Sequence, residues 1–201
     1  MTASYETRIA VTPNAASFAI RSERASDVVA REALLDACFG EDRQMRTCQR
    51  LRVGRAPAEG LSLSAVGEDG RLLGTLRLWH VSAGGVPALV LGPLAVDPGR
   101  RAFGVGAALV NLALIRAKAR GHGAVILLGD APYYARFGFS ARKTGELFLP
   151  GPFEQERLLG LELAEGALDG AWGMIVPTGR RLLKNSASRS KRALRAVPQA
   201  A

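Results

Sequence analysis

Cysteine and histidine are scarce in this chain. Its 201 residues include two of each, and the cysteines, Cys38 and Cys48, form no Cys-x-x-Cys pair. Without a further cluster of cysteines and histidines the sequence offers no ligand set for a zinc site, and we predict no bound metal. Two isolated cysteines do not make a disulfide framework, so reduced thiols and a cytoplasmic location are the simplest interpretation.

Long apolar runs are absent as well. The longest candidate, GGVPALVLGPLAV, is interrupted by Pro87 and Pro93, and no apolar run reaches the ~18 residues that a membrane span needs. The N-terminal stretch lacks the basic start and the continuous apolar region of a secretory signal. We therefore predict no membrane span and no signal peptide. A chain of this length is expected to form one domain of ordinary size.

Acidic residues are missing from the C-terminal end. No Asp or Glu follows Thr178, whereas seven of the 27 Lys and Arg residues do, so the rest of the chain carries only +2 of the net charge of +9. The low complexity of this segment predicts a basic, disordered tail at residues 178–201. Residues 1–17 show no periodicity and predict a flexible N-terminus. The folded domain is then expected to occupy residues 18–177.

The basic tail has three open interpretations. It could bind nucleic acid or ribosomes electrostatically, it could lie on anionic lipid, or it could be a solubilising extension with no defined partner. No aromatic residues interleave its arginines, so stacking on single-stranded RNA is not supported. Any contact with nucleic acid is expected only through this tail.

Strand and helix patterns alternate between residues 18 and 177. The strand candidates are rich in β-branched or leucine residues and are bounded by turn residues: FAIRSE, both arms of LSLSAVGEDGRLLGTLRLWHV with a turn at residues 68–70, ALVLGPLAV, GAVILLG, RLLGLEL and GMIV. The helix candidates are ASDVVAREALLDACFG with Ser26 as its cap, the arginine-rich EDRQMRTCQRLRVGR, residues 105–120, and one or two turns at APYYARF. This order predicts an α/β (α+β) fold with one central sheet flanked by helices. Gly92 and Pro93 predict a bulge or splay within their strand, because proline removes a donor from the ladder.

The clearest candidate site is the stretch GRRAFGVGAAL at residues 99–109. Two arginines lead into a Gly-x-Gly pair, and an alanine-rich helix candidate follows at once. Glycines let successive backbone N–H groups point into one concavity, and the start of a helix adds unpaired N–H groups and the positive end of its dipole. With Arg101 at the rim, the pattern predicts an anion site that would fit a pyrophosphate.

Two familiar phosphate loops do not match this stretch. A P-loop requires Lys-Ser or Lys-Thr after its glycines, and none follows here. A Rossmann loop requires a third glycine where Leu109 stands, and an acidic residue about twenty positions further on, which is also missing.

A different loop fits the residues. The phrase LGPLAVDPGRRAFGVGAAL resembles the coenzyme A pyrophosphate loop of the GCN5-related N-acetyltransferase (GNAT) superfamily, whose pattern (Q/R)-x-x-G-x-(G/A) falls on residues 101–106. A second phrase, GDAPYYARFGF, has Tyr134 four residues before the Gly138–Phe139 pair. It resembles the YhbS-type branch of predicted acetyltransferases in that superfamily. The resemblance covers roughly residues 18–177.

The resemblance implies a mixed, mostly antiparallel sheet that splays apart at the cofactor strand. Acetyl-CoA would lie in the gap, with its pantetheine arm along that strand, a backbone N–H polarising its thioester and its pyrophosphate on the amides of residues 103–107. No metal is implied. The cofactor-binding residues implied by the resemblance are Leu94, Ala95, Val96, Arg101, Ala102, Phe103, Gly104, Val105, Gly106, Ala107, Tyr134 and Phe137.

The chemistry implied by the resemblance is direct transfer of an acetyl group to an amine. Tyr134 is the candidate acid that protonates the departing thiolate, or it only packs against the cofactor or hydrogen-bonds its sulfur. Asp130 is the candidate base or water-holder, or it only caps the turn at APYYARF. His122 is expected to face solvent. His80, beside Trp79 on its strand, is expected to have a structural role, with a position facing the acceptor pocket as the alternative.

The acceptor is not identified by the sequence. In this fold the first helices wall the acceptor site, and five arginines in this region either receive an acidic acceptor or form an ordinary solvated face: Arg43, Arg46, Arg50, Arg52 and Arg55. A non-catalytic acyl-CoA-binding or sensing module is an alternative on the same fold. A protein that associates with RNA or ribosomes through its tail is another. A monomer and a homodimer are both compatible with the sequence.

Overall fold

The computed structural model describes residues 17–182 of the chain. Within that range eight β-strands and three α-helices follow one another, joined by short 3-10 helices and turns. The strands are β1 (Phe18–Ser22), β2 (Ser62–Gly67), β3 (Leu72–Ala83), β4 (Val86–Val96), β5 (Ala124–Leu128), β6 (Leu147–Phe148), β7 (Leu158–Glu162) and β8 (Gly173–Pro177). The helices are α1 (Val28–Phe39), α2 (Val105–Ala119) and α3 (Ala131–Ala135).

One central sheet has the order β1-β2-β3-β4-β5-β7, and β8 pairs with both β3 and β6. The pairs are antiparallel except β4 with β5 and β6 with β8. Ala95 packs beneath α1, while its neighbours Leu94 and Val96 pack on the core that α2 covers. Because successive strand residues point to opposite faces, the two helices cover opposite faces of the sheet. The predicted α/β fold with a mixed, mostly antiparallel sheet is confirmed.

Helix α2 lies unusually close to the sheet. A Cβ atom on Gly74 of β3 would lie 2.9 Å from Val105 Cγ1 and 3.0 Å from Leu109 Cδ1, so only glycine leaves room for the first turns of the helix. Val105 and Leu109 are fully buried in this contact. The packing therefore places the start of α2 beside the end of β4.

Strands β4 and β5 separate soon after they meet. Their parallel pairing is limited to Leu89 with Val125 and Val90 with Ile126. On the other side of β4 the register with β3 shifts between Leu76 and Leu78, so β4 holds one extra residue at its Gly-Pro step. The predicted bulge and splay are both confirmed, and the proline without an N–H explains why regular pairing stops there.

Two local predictions are wrong, and one short strand was missed. EDRQMRTCQRLRVGR forms two short 3-10 helices, Glu41–Met45 and Thr47–Leu51, because the segment has no apolar stripe to hold a longer helix against the core. Ser26 does not cap α1, since a 3-10 turn precedes the helix and Asp27 accepts from the backbone N–H of Arg24. The two-residue strand β6 was not predicted, because so short a run carries no periodicity.

The chain remains ordered past the predicted domain boundary. The N–H groups of Thr178 and Gly179 both donate to His80 O, and Leu182 N–H donates to Gly54 O. Disorder starting at residue 178 is therefore wrong for the first five residues of the tail. The rest of the tail and nearly all of the N-terminal segment, residues 183–201 and 1–16, lie outside the described residues.

No helix between residues 17 and 182 combines the length and the apolar character needed to cross a membrane.

A buried ion pair joins β1, β2 and the start of α1. Arg21 donates to both carboxylate oxygens of Asp27, at 2.6 and 2.8 Å, and Ser64 Oγ and Arg24 N–H each donate to the same carboxylate at 2.9 Å. The Arg21 hydrogen bond, with smaller contributions from Arg24 and Ser64, outweighs the effect of burial and holds the pKa of Asp27 well below its usual range.

We expect Asp27→Asn to lower the free energy of unfolding at pH 7 by about 2 kcal/mol, since hydrogen bonds to a charged group are lost. A depressed folded pKa stabilises the protein above the unfolded pKa of ~3.9 and loses that effect as pH falls toward the folded value. The difference between wild type and variant, measured by urea unfolding, should shrink below pH 4. Asp42→Asn, at an exposed carboxylate, is the control, and an equal difference at pH 7 and pH 3 would contradict the assignment.

Candidate active site

A cleft of about 630 Å³ opens where β4 and β5 separate. One wall is the part of β4 from Leu91 to Leu94, and another is the end of β5 with residues 129–130 and Tyr134. Side chains from α1 and from the 3-10 segment at residues 43–52 close the opposite side. The volume is within the range of small-molecule sites, and the cleft lies at the break in the sheet.

The edge of β4 that faces this cleft is not paired with another strand of the described chain. Gly92, Pro93 and Leu94 are partly exposed there, and Trp79 Nε1 donates to Gly92 O at 2.7 Å, which fixes the bulge from behind. Of the three strand residues predicted to bind the cofactor, Leu94 lines the cleft. The side chain of Ala95 is buried beneath α1, and Val96 O accepts a hydrogen bond from Cys38 Sγ at 3.3 Å.

The loop between β4 and α2 is held from its first residue. The carboxylate of Asp97 accepts from Gly99 N–H at 2.9 Å and pairs with Arg71 Nη2 at 2.7 Å. Residues 101–104 are all exposed, and Phe103 lies beneath the guanidinium of Arg100 at 5.9 Å from its ring centroid. Arg101, Ala102 and Phe103 are therefore all accessible to a ligand at the start of α2.

The N-terminus of α2 provides unpaired backbone donors. Gly104 adopts a left-handed conformation with φ of 80° at the N-cap, and no side chain within the described residues caps the helix. The first helical hydrogen bond runs from Ala108 N–H to Gly104 O at 2.9 Å, so the N–H groups of Val105, Gly106 and Ala107 precede it. The buried side chain of Val105 faces the sheet, and only its amide is available. This geometry is typical of helix starts that bind anions.

Tyr133 lies next to the start of α2 and was not predicted as a site residue from the sequence. A Cβ atom on Gly106 would lie 3.0 Å from the Tyr133 hydroxyl oxygen, so the hydroxyl reaches the first turn of α2. Burial raises the pKa of Tyr133, partly offset by Arg136, whose guanidinium stacks 4.6 Å from the ring centroid. Tyr133 is thus a proton-bearing donor beside the helix start. The adjacent tyrosines in APYYARF were the only sequence signal for it.

Tyr134 lies over the end of β5 because Gly129 has no side chain. A Cβ atom on Gly129 would lie 2.4 Å from Cε2 of the tyrosine ring. The ring packs edge-on against Phe139 at 5.8 Å and Tyr133 at 5.0 Å, and Phe137 supports it at 6.3 Å. Burial, with smaller contributions from Tyr133 and Asp130, raises the pKa of Tyr134 to about 12. The hydroxyl keeps its proton at neutral pH and has no hydrogen-bond partner between residues 17 and 182.

Asp130 is an exposed residue at the mouth of the cleft. One carboxylate oxygen accepts from Tyr133 N–H at 3.1 Å and so caps α3. The cap orients the two tyrosines, which follow within one turn.

The two histidines lie away from the cleft. The rings of His80 and His122 are 5.3 Å apart, and neither residue lines the cleft. Burial, with smaller contributions from His80 and Arg120, lowers the pKa of His122. Among residues 17–182 no group of three or more Cys, His, Asp and Glu side chains could hold a metal ion.

The five arginines that the sequence analysis assigned to the acceptor side divide into two groups. Arg50 and Arg55 donate to backbone carbonyls of Pro150 and Gly179, each at 2.6 Å, and do not line the cleft. Three others do line it, together with one arginine that the sequence analysis did not single out: Arg43, Arg46, Arg52 and Arg157. Arg157 joins the cleft only through the fold, because its 3-10 turn lies far along the chain, and no sequence pattern marked it.

Known proteins with similar sequences were found. The family model of the Acetyltransferase (GNAT) family matches residues 29–139. YhbS of Escherichia coli strain K12, an uncharacterized N-acetyltransferase, is 30% identical over 158 residues, which cover 78% of this chain and 93% of YhbS. The chain therefore belongs to the GNAT acetyltransferase family.

Solved structures agree with this assignment. Escherichia coli YhbS in complex with CoA matches with a TM-score of 0.68 and 28% identity, covering 84% of this chain and 93% of that one. A GNAT family acetyltransferase from Brucella melitensis in complex with acetyl-CoA matches with a TM-score of 0.55 and 28% identity, covering 77% and 99% of the two chains. Relatives with this fold thus bind CoA and acetyl-CoA.

Proposed function

We propose that this protein transfers an acetyl group from acetyl-CoA to the amine of a small-molecule or protein acceptor. The observation that carries the proposal is the separation of β4 from β5 after Val90 and Ile126. It opens one cleft onto an unpaired strand edge and onto Tyr134. The CoA and acetyl-CoA complexes of two relatives support acetyl-CoA as the donor.

The cofactor would bind at three successive features. Its pyrophosphate accepts from the amides of residues 103–107, with Arg101 and the Tyr133 hydroxyl beside it. Its pantetheine arm follows the unpaired edge of β4 from Val96 toward Leu94. Its thioester then lies in the cleft, where a backbone N–H of β4 polarises the carbonyl oxygen and the Tyr134 hydroxyl is near the sulfur.

Gly104→Val tests the pyrophosphate site. The change puts a branched side chain at a left-handed N-cap residue, beside the amides that would contact the phosphates. We expect calorimetry to show at least a tenfold weaker affinity for acetyl-CoA, since charge-assisted hydrogen bonds are lost, and no binding of NADH or ATP by the wild type.

The matched control for this change is Gly121→Val at the other end of α2. Gly121 has a φ of 77° against 80° for Gly104, and a Cβ on either residue would meet no protein atom within 4 Å. Both variants place a valine in open space at a left-handed φ, so the difference between them reports the effect on the ligand. Equal affinities of the two variants for acetyl-CoA would show that the loop does not hold the pyrophosphate.

Groups in the cleft and water account for each bond change and each proton in the transfer. The neutral acceptor nitrogen attacks the thioester carbon, and the carbon–sulfur bond breaks. The sulfur takes the proton of the Tyr134 hydroxyl, and the nitrogen loses a proton through water held by Asp130. Solvent then returns a proton to the tyrosinate. The high pKa of Tyr134 keeps the donor protonated until the thiolate forms.

Tyr134→Phe should lower kcat about 100-fold while the Kd for acetyl-CoA stays within about twofold, because the ring and its packing remain and only the proton is removed. With a pKa of about 12, this group should cause no loss of wild-type activity as pH rises to 10. Steady-state kinetics over pH 6–10 measure both effects. Trp172→Phe, at an exposed aromatic residue that does not line the cleft, is the control and should leave kcat unchanged. Wild-type kcat in Tyr134→Phe would exclude the acid role.

Asp130→Asn distinguishes a role of Asp130 as a base from its role as the cap of α3. Asparagine also accepts from the N–H of Tyr133, so the start of α3 is preserved, whereas the basic oxygen is lost. We expect kcat/KM to fall at least tenfold at pH 7 and to recover as pH approaches the pKa of the acceptor amine, where the neutral amine is abundant. A pH profile that matches the wild type would leave Asp130 with its capping role alone.

The second candidate is a non-catalytic acyl-CoA-binding or sensing module. It is favoured by one observation, the absence of Asp and Glu from the cleft-facing part of β4, Leu91–Leu94. Binding of acetyl-CoA with no acetylation of any amine would favour it. Binding of RNA that depends on residues 183–201 and weakens with salt would instead support a role for the tail.

A further inference from the structure

Arg52 is a cation inside the cleft with no acidic partner. It directly follows the 3-10 helix Thr47–Leu51, and its Nε donates to Cys48 O at 3.0 Å. Between residues 17 and 182 it forms no salt bridge, and neither terminal guanidinium nitrogen has a hydrogen-bond partner. Both nitrogens remain available to a ligand.

The surroundings of Arg52 do not compensate its charge. Burial lowers the pKa of Arg52, partly offset by Cys48 and with a smaller lowering by Arg43, but a guanidinium stays protonated at any physiological pH. The neighbouring Cys48 is no counterion, because burial raises the pKa of its thiol. A partly desolvated cation without a partner is costly to the folded protein, and an anion bound in the cleft would remove that cost.

The other arginines of the cleft are already partnered or open to solvent. Arg43 pairs with Glu32 at 2.5 Å and with Asp36 at 2.6 Å. Arg46 is exposed and donates to the carbonyl of Phe39, over whose ring it also stacks. The side chain of Arg157 is 48% exposed, with Glu154 at 3.8 Å. Arg52 thus differs from these three arginines by being partly buried and without an acidic partner among the described residues.

Arg52 faces the acceptor side of the cleft and not the pyrophosphate site. None of the residues from 97 to 107 lines this cleft, whereas Leu94 and Tyr134 do. The cleft therefore extends from the proposed thioester position to Arg52. A group held by Arg52 would be part of the molecule that receives the acetyl group.

We infer that the acceptor is a small amine that also carries a carboxylate, as a free amino acid does, and that Arg52 binds this carboxylate. The inference rests on the proposed acetyl transfer. A planar guanidinium with two free terminal nitrogens matches a carboxylate in a two-pronged hydrogen bond. A cleft of about 630 Å³ holds a molecule of that size beside the thioester.

The test compares amines that differ only in the carboxylate. The probes are the common amino acids and, for each, the amide in which a carboxamide replaces the carboxylate, at equal concentrations of neutral amine. Release of the CoA thiol from acetyl-CoA measures transfer. We expect the wild type to prefer the acid over its amide by about 100-fold in kcat/KM for the side chains it accepts.

Arg52→Met should reduce that preference to within about threefold, and Arg52→Lys should restore part of it. Neither change should alter the affinity for acetyl-CoA, since Arg52 lies away from the pyrophosphate site. Arg50→Met is the matched control, because this neighbouring arginine is exposed and does not line the cleft. A wild type that prefers the amides, or a preference unchanged in Arg52→Met, would overturn the inference while leaving acetyl transfer intact.

Failure of the proposed function has a different signature. If acetyl-CoA binds but no amine is acetylated, transfer is excluded, and calorimetry of the same amino acids against the CoA-loaded protein tests Arg52 directly. Amino acids that bind the wild type and not Arg52→Met would support the carboxylate site. The absence of binding by any of them to the wild type would overturn it.

Discussion

The parallel pairing of β4 with β5 ends after Val90 and Ile126, and the walls of the cleft depend on that ending. The Gly92–Pro93 step adds a residue to β4 and removes an amide from the ladder. Trp79 holds the displaced carbonyl of Gly92 from the next strand. If the two strands had stayed paired to their ends, the backbone N–H and C=O groups on this edge of β4 would bond to β5. No ligand could then pair with that edge.

Two glycines, which have no side chain, then determine what lies beside the gap between β4 and β5. Gly74 lets α2 pack directly on β3, and this close packing sets the free amides of the helix at the end of β4. Gly129 lets Tyr134 lie across the end of β5. The positions of the proposed anion site and of the Tyr134 hydroxyl therefore follow from close packing at two glycines. Their positions depend on the same sheet irregularity, since α2 follows β4 and α3 follows β5 in the chain.

The sequence predicted what is encoded locally. The loop before α2, the strand break at Gly92–Pro93 and the cap at Asp130 are each contained within a few consecutive residues, so their chemistry could be recognised without the fold. Arg52 was one of five arginines expected at the acceptor site, and the sequence did not distinguish it from the others. Arg157 could not be placed, because it lines the same cleft only when distant segments of the chain pack together. The segment from residue 41 to 51 was misjudged because arginines with helical propensity do not form a helix without an apolar stripe.

The proposed binding sites for the acetyl donor and for the acceptor are built from different kinds of group. This explains why the donor is easier to propose than the acceptor. The proposed donor site consists of the edge of β4 in the cleft and of helix amides outside it, which any sequence with suitable glycines can present. The acceptor side consists of side chains on irregular 3-10 segments, where Arg43 is neutralised by Glu32 and Asp36 while Arg52 is not. We expect a partly buried charge without an acidic partner to select among amines, since an acceptor without a carboxylate would leave that charge unsatisfied.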